Sequence, residues 1–60
     1  MNVGNLVKVK FTDAPDIVGV VIDLFEDYDG WYYFEVVYPA TGGLDAIGWF
    51  SDLQLEVIQH

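Results

Sequence analysis

Gly30-Trp31-Tyr32-Tyr33-Phe34-Glu35-Val36-Val37-Tyr38 is the stretch on which the fold turns. It holds five of the chain's ten aromatic residues. Aromatic and β-branched side chains suit a pleated, half-buried surface, so the run reads as a strand. Side chains alternate across a strand. Tyr32, Phe34, Val36 and Tyr38 therefore share one face, and Trp31, Tyr33, Glu35 and Val37 share the other. The even set is more uniformly apolar and is assigned to the core. The odd set then leaves Trp31 and Tyr33 at or near the surface.

Upstream, Glu26 to Gly30 is a loop, and residues 23 to 29 carry four of the ten acids. Asp27-Tyr28-Asp29-Gly30 has the Asp-x-Asp-Gly of a calcium loop. With Gly30 as the turn glycine, however, Phe25 takes the first ligand position and Val36 the closing glutamate position. The segment reads as a solvated hairpin loop, and no metal site is assigned. Ile17 to Phe25 is a long strand with two stripes: Val18, Val20, Ile22 and Leu24, then Gly19, Val21, Asp23 and Phe25. Gly19 inside it signals a bulge or a close approach by another backbone. Thr12 to Asp16 is a turn set by Pro15. Before it, Leu6 to Phe11 alternates, with Val7, Val9 and Phe11 inward and Lys8 and Lys10 outward. Met1 to Asn5 is a turn at Gly4.

Downstream, Pro39-Ala40-Thr41-Gly42-Gly43 is a turn between antiparallel strands. Leu44 to Phe50 is a fourth strand, interrupted by Asp45 and Gly48. Ser51-Asp52-Leu53 reads as one helical turn with Ser51 as its cap. Leu55 to Ile58 is a short last strand with Glu56 outward, and Gln59-His60 a tail. Five short strands with one 3-10 turn before the last predict an all-β, highly curved five-stranded barrel.

Sixty residues allow one small domain, and a chain this short buries only about 60% of its unfolded surface. There is no cysteine, hence no disulfide or thiolate metal site. Stability must come from aromatic packing or from burying surface against another copy. Ten acids against two lysines give a net charge of −8. That argues against direct nucleic-acid binding, which needs Lys and Arg at the phosphates, and against anionic membranes. A cationic protein partner and plain solubility both fit the charge. Nothing approaches the roughly 20 apolar residues of a membrane span and no leader pattern is seen, so a cytoplasmic protein is expected.

The order of motifs resembles the small SH3-like barrels, among them the single-domain proteins of this size in tailed-phage genomes. The resemblance rests on Val3-Gly4-Asn5-Leu6-Val7-Lys8-Val9, Ile17-Val18-Gly19-Val20-Val21-Ile22, Phe34-Glu35-Val36 and Gly48 to Ile58. It implies the barrel fold and leaves function open, because that fold hosts unrelated roles. KOW and Tudor modules are similar in outline. The Trp-Trp pair and long acidic first loop of peptide-binding SH3 domains are missing, as are the basic loops of KOW modules. Tudor modules cage methylated cations with aromatics and an acid, and Tyr28, Asp29, Trp31 and Tyr33 match that chemistry.

No enzyme is expected. The only histidine is the terminal His60, Ser51 has no base within local reach, and no phosphate loop is present. No cofactor is implied. The expected function is a non-enzymatic protein-interaction or structural module. Its candidate binding residues are Tyr28, Asp29, Trp31, Tyr33 and Trp49, rimmed by acids and suited to a cationic segment of another protein. Two alternatives use the same features. In one the aromatics are buried between copies in a homo-oligomer. In the other the acids mimic DNA and occupy a host DNA-binding protein. A fully structural reading has Trp31 and Trp49 capping the ends of the core.

Overall fold

The computed structural model describes residues 1–59; the expectation for His60 lies outside the described residues. It contains five strands: β1 (Leu6–Val9), β2 (Ile17–Glu26), β3 (Tyr32–Pro39), β4 (Asp45–Ser51) and β5 (Leu55–Gln59). One 3-10 turn, Thr41–Gly43, joins β3 to β4, and another, Asp52–Gln54, joins β4 to β5. All pairings are antiparallel, in the order β4-β3-β2-β1-β5. The protein is therefore all-β, with the expected 3-10 turn before the last strand. Among the described residues no helix is long and apolar enough to cross a membrane.

The core shows how far this one sheet is coiled. Val7 and Val9 of β1, Val21 of β2, Phe34 and Val36 of β3, Phe50 of β4 and Leu55 of β5 form a single buried cluster. Strands at opposite ends of the order thus deliver side chains to one place. Phe11, Tyr38 and Val57 close its margin. The rings of Phe11, Tyr38 and Phe50 meet pairwise at 6.1, 6.0 and 5.8 Å in tilted or edge-on arrangements. Edge-on pairs use the positive ring rim against the negative ring face, adding about 0.5–1.5 kcal/mol each beyond burial. The 3-10 turn after β4 joins the rim to the end of β1, where Lys10 N–H donates to the Gln54 carbonyl at 2.8 Å. The Gln54 side chain returns to its own turn, accepting from Ser51 N–H at 3.3 Å.

The alternation read in β3 holds for Phe34 and Val36, which are buried, and for Tyr38 at the core margin. Tyr32 departs from it and is 44% exposed. It lies one residue before the first β3–β4 pair, Tyr33 with Ser51, and is only partly covered there. β1 ends at Val9 rather than Phe11, yet Phe11 still packs against the core.

Gly19 marks a close approach. A methyl group there would lie 2.6 Å from the Val37 carbonyl oxygen and 2.7 Å from Val36 Cγ1. The bulge falls further on: Val21 pairs with Val36 and Asp23 with Glu35, leaving Ile22 unmatched. That extra residue reverses the alternation of β2. Gly19 and Val21 face inward before it. After it Leu24 shares the inner face with Phe34, and Asp23 and Phe25 turn outward.

Two substitutions separate these roles in urea titrations. Phe34→Ala should cost about 3–5 kcal/mol and unfold a domain this small. Gly19→Ala should cost about 1–3 kcal/mol, because the obstructing atom is backbone and the strands must part. A neutral Gly19→Ala would contradict the β2–β3 packing described here.

Candidate functional site

The β2–β3 hairpin is closed by Asp27-Tyr28-Asp29-Gly30. Gly30 N–H donates to the Asp27 carbonyl at 3.0 Å, and Asp27 N–H to the Trp31 carbonyl at 2.7 Å. This is a three-residue loop: a tight turn followed by a residue in the left-handed region, which Gly30 supplies with φ +81°. The Asp27 carboxylate is committed locally, accepting from Tyr28 N–H at 2.7 Å. The loop lifts Tyr28 fully into solvent.

Past the loop, the ladder fixes which side chains stand together. Phe25 pairs with Tyr33, and Tyr33 with Ser51; Asp23 pairs with Glu35, and Glu35 with Trp49. Directly paired residues project to the same side of a sheet. One outer patch therefore carries Phe25, Tyr33 and Trp49 with Asp23 and Glu35 set among them. The Phe25 and Trp49 rings meet edge to face across β3, with centroids 6.4 Å apart. Both remain about half exposed, at 55% and 49%. Further along, Val20, Val37 and Ile47 form an apolar row on the same side.

Asp23 and Glu35 are like charges placed directly opposite, an arrangement that costs roughly 0.2–1 kcal/mol. Neither is in an ion pair with another described residue. Among the described residues the single ion pair is Lys10 with Glu56, at 3.6 Å and half exposed at both ends. The other lysine, Lys8, sits on β1 opposite Val18 and Glu56, two strands from β3. The patch is thus aromatic, acidic and without a cation of its own. A shallow hollow of about 320 Å³ adjoins its tip, lined by Phe25, Glu26, Asp27 and Tyr28.

Of the residues singled out from sequence, Tyr33 and Trp49 fall within this patch. Trp31, 54% exposed, lies on the approach to β3 and has the odd parity of that face. Tyr28 and Asp29 belong to the loop tip, and the Tyr28 ring pairs with no other among the described residues. Trp31 and Trp49 are absent from the buried cluster. Phe25 was not among the sequence candidates, although it is one half of the central ring pair. Its signal was Asp23: a carboxylate two residues after an inward Val21 could not follow it into the core, so the alternation had to break between them.

Among the described residues no group of three or more His, Asp or Glu side chains is placed to hold a metal ion. Comparison with protein-family models, curated proteins and solved structures found no match.

Removing one of the opposed charges tests the electrostatics of the patch. Glu35→Gln should stabilise the domain by roughly 0.2–1 kcal/mol at low salt, as read by urea midpoint. The gain should shrink as ionic strength rises and screens the pair. A loss of stability at low salt would mean that Glu35 has a favourable partner.

Proposed function

We propose that this protein is a non-enzymatic interaction domain whose outer patch binds a positively charged segment of another protein. The carrying observation is the Asp23–Glu35 pair, set beside the Phe25–Trp49 ring pair with no basic residue at hand. A Lys or Arg side chain placed there would relieve the repulsion and lie against aromatic faces. The second contact is worth about 0.5–2 kcal/mol according to how far the cation is desolvated. The chain's net charge of −8 would also speed encounter with a basic partner at low salt. A cytoplasmic setting and kinship with the small SH3-like modules belong to the proposal and rest on the sequence pattern.

A second reading is favoured by the other half of the outer face. Val20, Val37 and Ile47 form an apolar row clear of the two acids, and Ile47 is 61% exposed. Leu44 and Leu53 are more exposed still. A domain with seven buried apolar residues gains stability by covering such surface with a second copy. Light scattering over a wide concentration range separates the readings, since a dimer at micromolar concentration would favour self-association.

Titration with a lysine- and arginine-rich peptide, followed by tryptophan fluorescence, tests the first reading. Binding should weaken steeply with salt. It should fall about tenfold or more in Trp49→Ser or Tyr33→Ser, variants expected to stay folded because neither ring belongs to the buried core. Equal binding by an acidic peptide of the same length, or no loss in either folded variant, would remove the proposal.

A further inference from the structure

The far half of β2 has a neighbour on one side only. β3 pairs with it from Asp23 to Glu26, but β1 leaves β2 after the Leu6–Val20 pair. The last bonds from that side are Gly4 N–H to the Val21 carbonyl, 2.8 Å, and Val21 N–H to the Asn5 carbonyl, 3.1 Å. Beyond them the chain turns away. Asn5 N–H donates to the Asn2 carbonyl at 3.1 Å, and the buried Asn5 side chain accepts from Asn2 N–H at 2.7 Å.

Hydrogen-bond parity identifies the groups left over. In an antiparallel pair, bonded and non-bonded residue pairs alternate. Asp27 N–H is bonded to the Trp31 carbonyl, so Phe25–Tyr33 and Asp23–Glu35 are the next bonded pairs. Leu24 and Glu26 then turn their N–H and C=O groups to the open side. A separate observation agrees. Leu24 N–H donates to Asp23 Oδ1 at 2.8 Å, a contact open to an amide that is not held by β3. The carboxylate thereby shields one donor of an otherwise open edge.

We propose that this edge, Asp23–Glu26, takes up an extended cationic segment of the partner as a sixth strand. The inference rests on the cationic-partner reading above and adds how the partner is held. Charge selects the occupant. Asp23 and Glu26 lie on the edge itself, Glu35 stands behind Asp23, and Asp27 follows at the tip, whereas a second copy would bring the same acids to meet them. The side chains of an added strand alternate between the two sides of the sheet. On the outer side they meet Asp23 and Phe25; on the inner side they meet Leu24 and Glu26. Each side therefore offers one acid and one apolar contact, which suits a segment interleaving basic and apolar residues. A basic side chain beside Asp23 draws its carboxylate off Leu24 N–H and frees that donor for the incoming strand.

The probe is an end-blocked peptide of about eight residues alternating lysine and valine, a usual strand length. Its binding is followed by calorimetry, with amide hydrogen exchange read by NMR. Binding should slow exchange at Leu24 and Glu26. N-methylating alternate peptide amides keeps every side chain and charge, and should weaken binding about tenfold or more by removing the inter-strand bonds. Leu24→Pro removes an N–H that β3 does not use, so the fold is retained and the same loss is expected, while Leu24→Ala binds as the parent does. Binding that is indifferent to N-methylation, with changes confined to Tyr33 and Trp49, would overturn strand addition and leave the face reading standing. Absence of binding by any basic peptide would remove both. Protection of Leu24 in the protein alone, growing with its concentration, would make a second copy the occupant and overturn the proposal.

Discussion

Ile22 is the residue of β2 that β3 does not match, and the character of both faces follows from it. Continued without interruption, the alternation that buries Gly19 and Val21 would carry Asp23 inward. Burying a carboxylate without a partner costs far more than a bulge does. The extra residue puts Asp23 outside, and the same step moves Phe25 out and Leu24 in. Phe25 thus reaches Trp49 across β3, and Asp23 comes to stand against Glu35. A bulge also bends its strand and increases the local twist. The hairpin beyond Ile22 departs from the path of β1, which explains why β1 covers β2 no further than Val21.

The core that anchors this arm is small. Four of its seven buried residues are valines, and the aromatic contribution comes from Phe34, Phe50 and the marginal rings of Phe11 and Tyr38. Close packing at Gly19 lets β2 and β3 approach where a side chain would hold them apart. With no disulfide and a high charge of one sign, the domain has little stability to spare. Large apolar groups left outside such a core are costly to solubility. Phe25, Trp49 and Ile47 are nevertheless left about half exposed or more on the outer face, beside acids that oppose each other.

Much of this was legible in the sequence because the period-2 pattern is strong where the chain is buried. Val7, Val9, Phe34 and Val36 alternate cleanly with Lys8, Glu35 and Val37, and each inward residue of that set is fully or almost fully buried. Turns were legible from Pro15, Gly30 and the Gly42–Gly43 pair, since their backbone demands are local. Gly19 was legible as a close approach of another backbone, but the bulge at Ile22 was not. Val20-Val21-Ile22 offers three equally apolar, β-branched residues, and local chemistry does not say which one lacks a partner. Unbroken alternation groups Asp23 and Phe25 with Gly19 and Val21, which the bulge separates; Tyr32, on β3, is exposed for a different reason, lying beyond the β3–β4 ladder. Tyr33 and Trp49 lie on the outer face, where β3 and β4 alternate without a break in their pairing. Tyr28 and Asp29 were chosen for their chemistry alone, and the loop places them at its tip.

The acids explain how an open edge and an apolar face coexist with a charge of −8. An unpaired strand edge next to exposed aromatic rings is the ordinary recipe for edge-to-edge association. In two antiparallel copies joined along this edge about Phe25, Asp23 of one copy would stand opposite Asp27 of the other across the junction. Asp23 adds a second obstacle by occupying Leu24 N–H. Both obstacles are electrostatic, and both lose their force when the arriving strand is basic. On the proposed reading, the carboxylates that would oppose a second copy would favour a strand of opposite charge, so a single set of residues would act against self-association and for recognition.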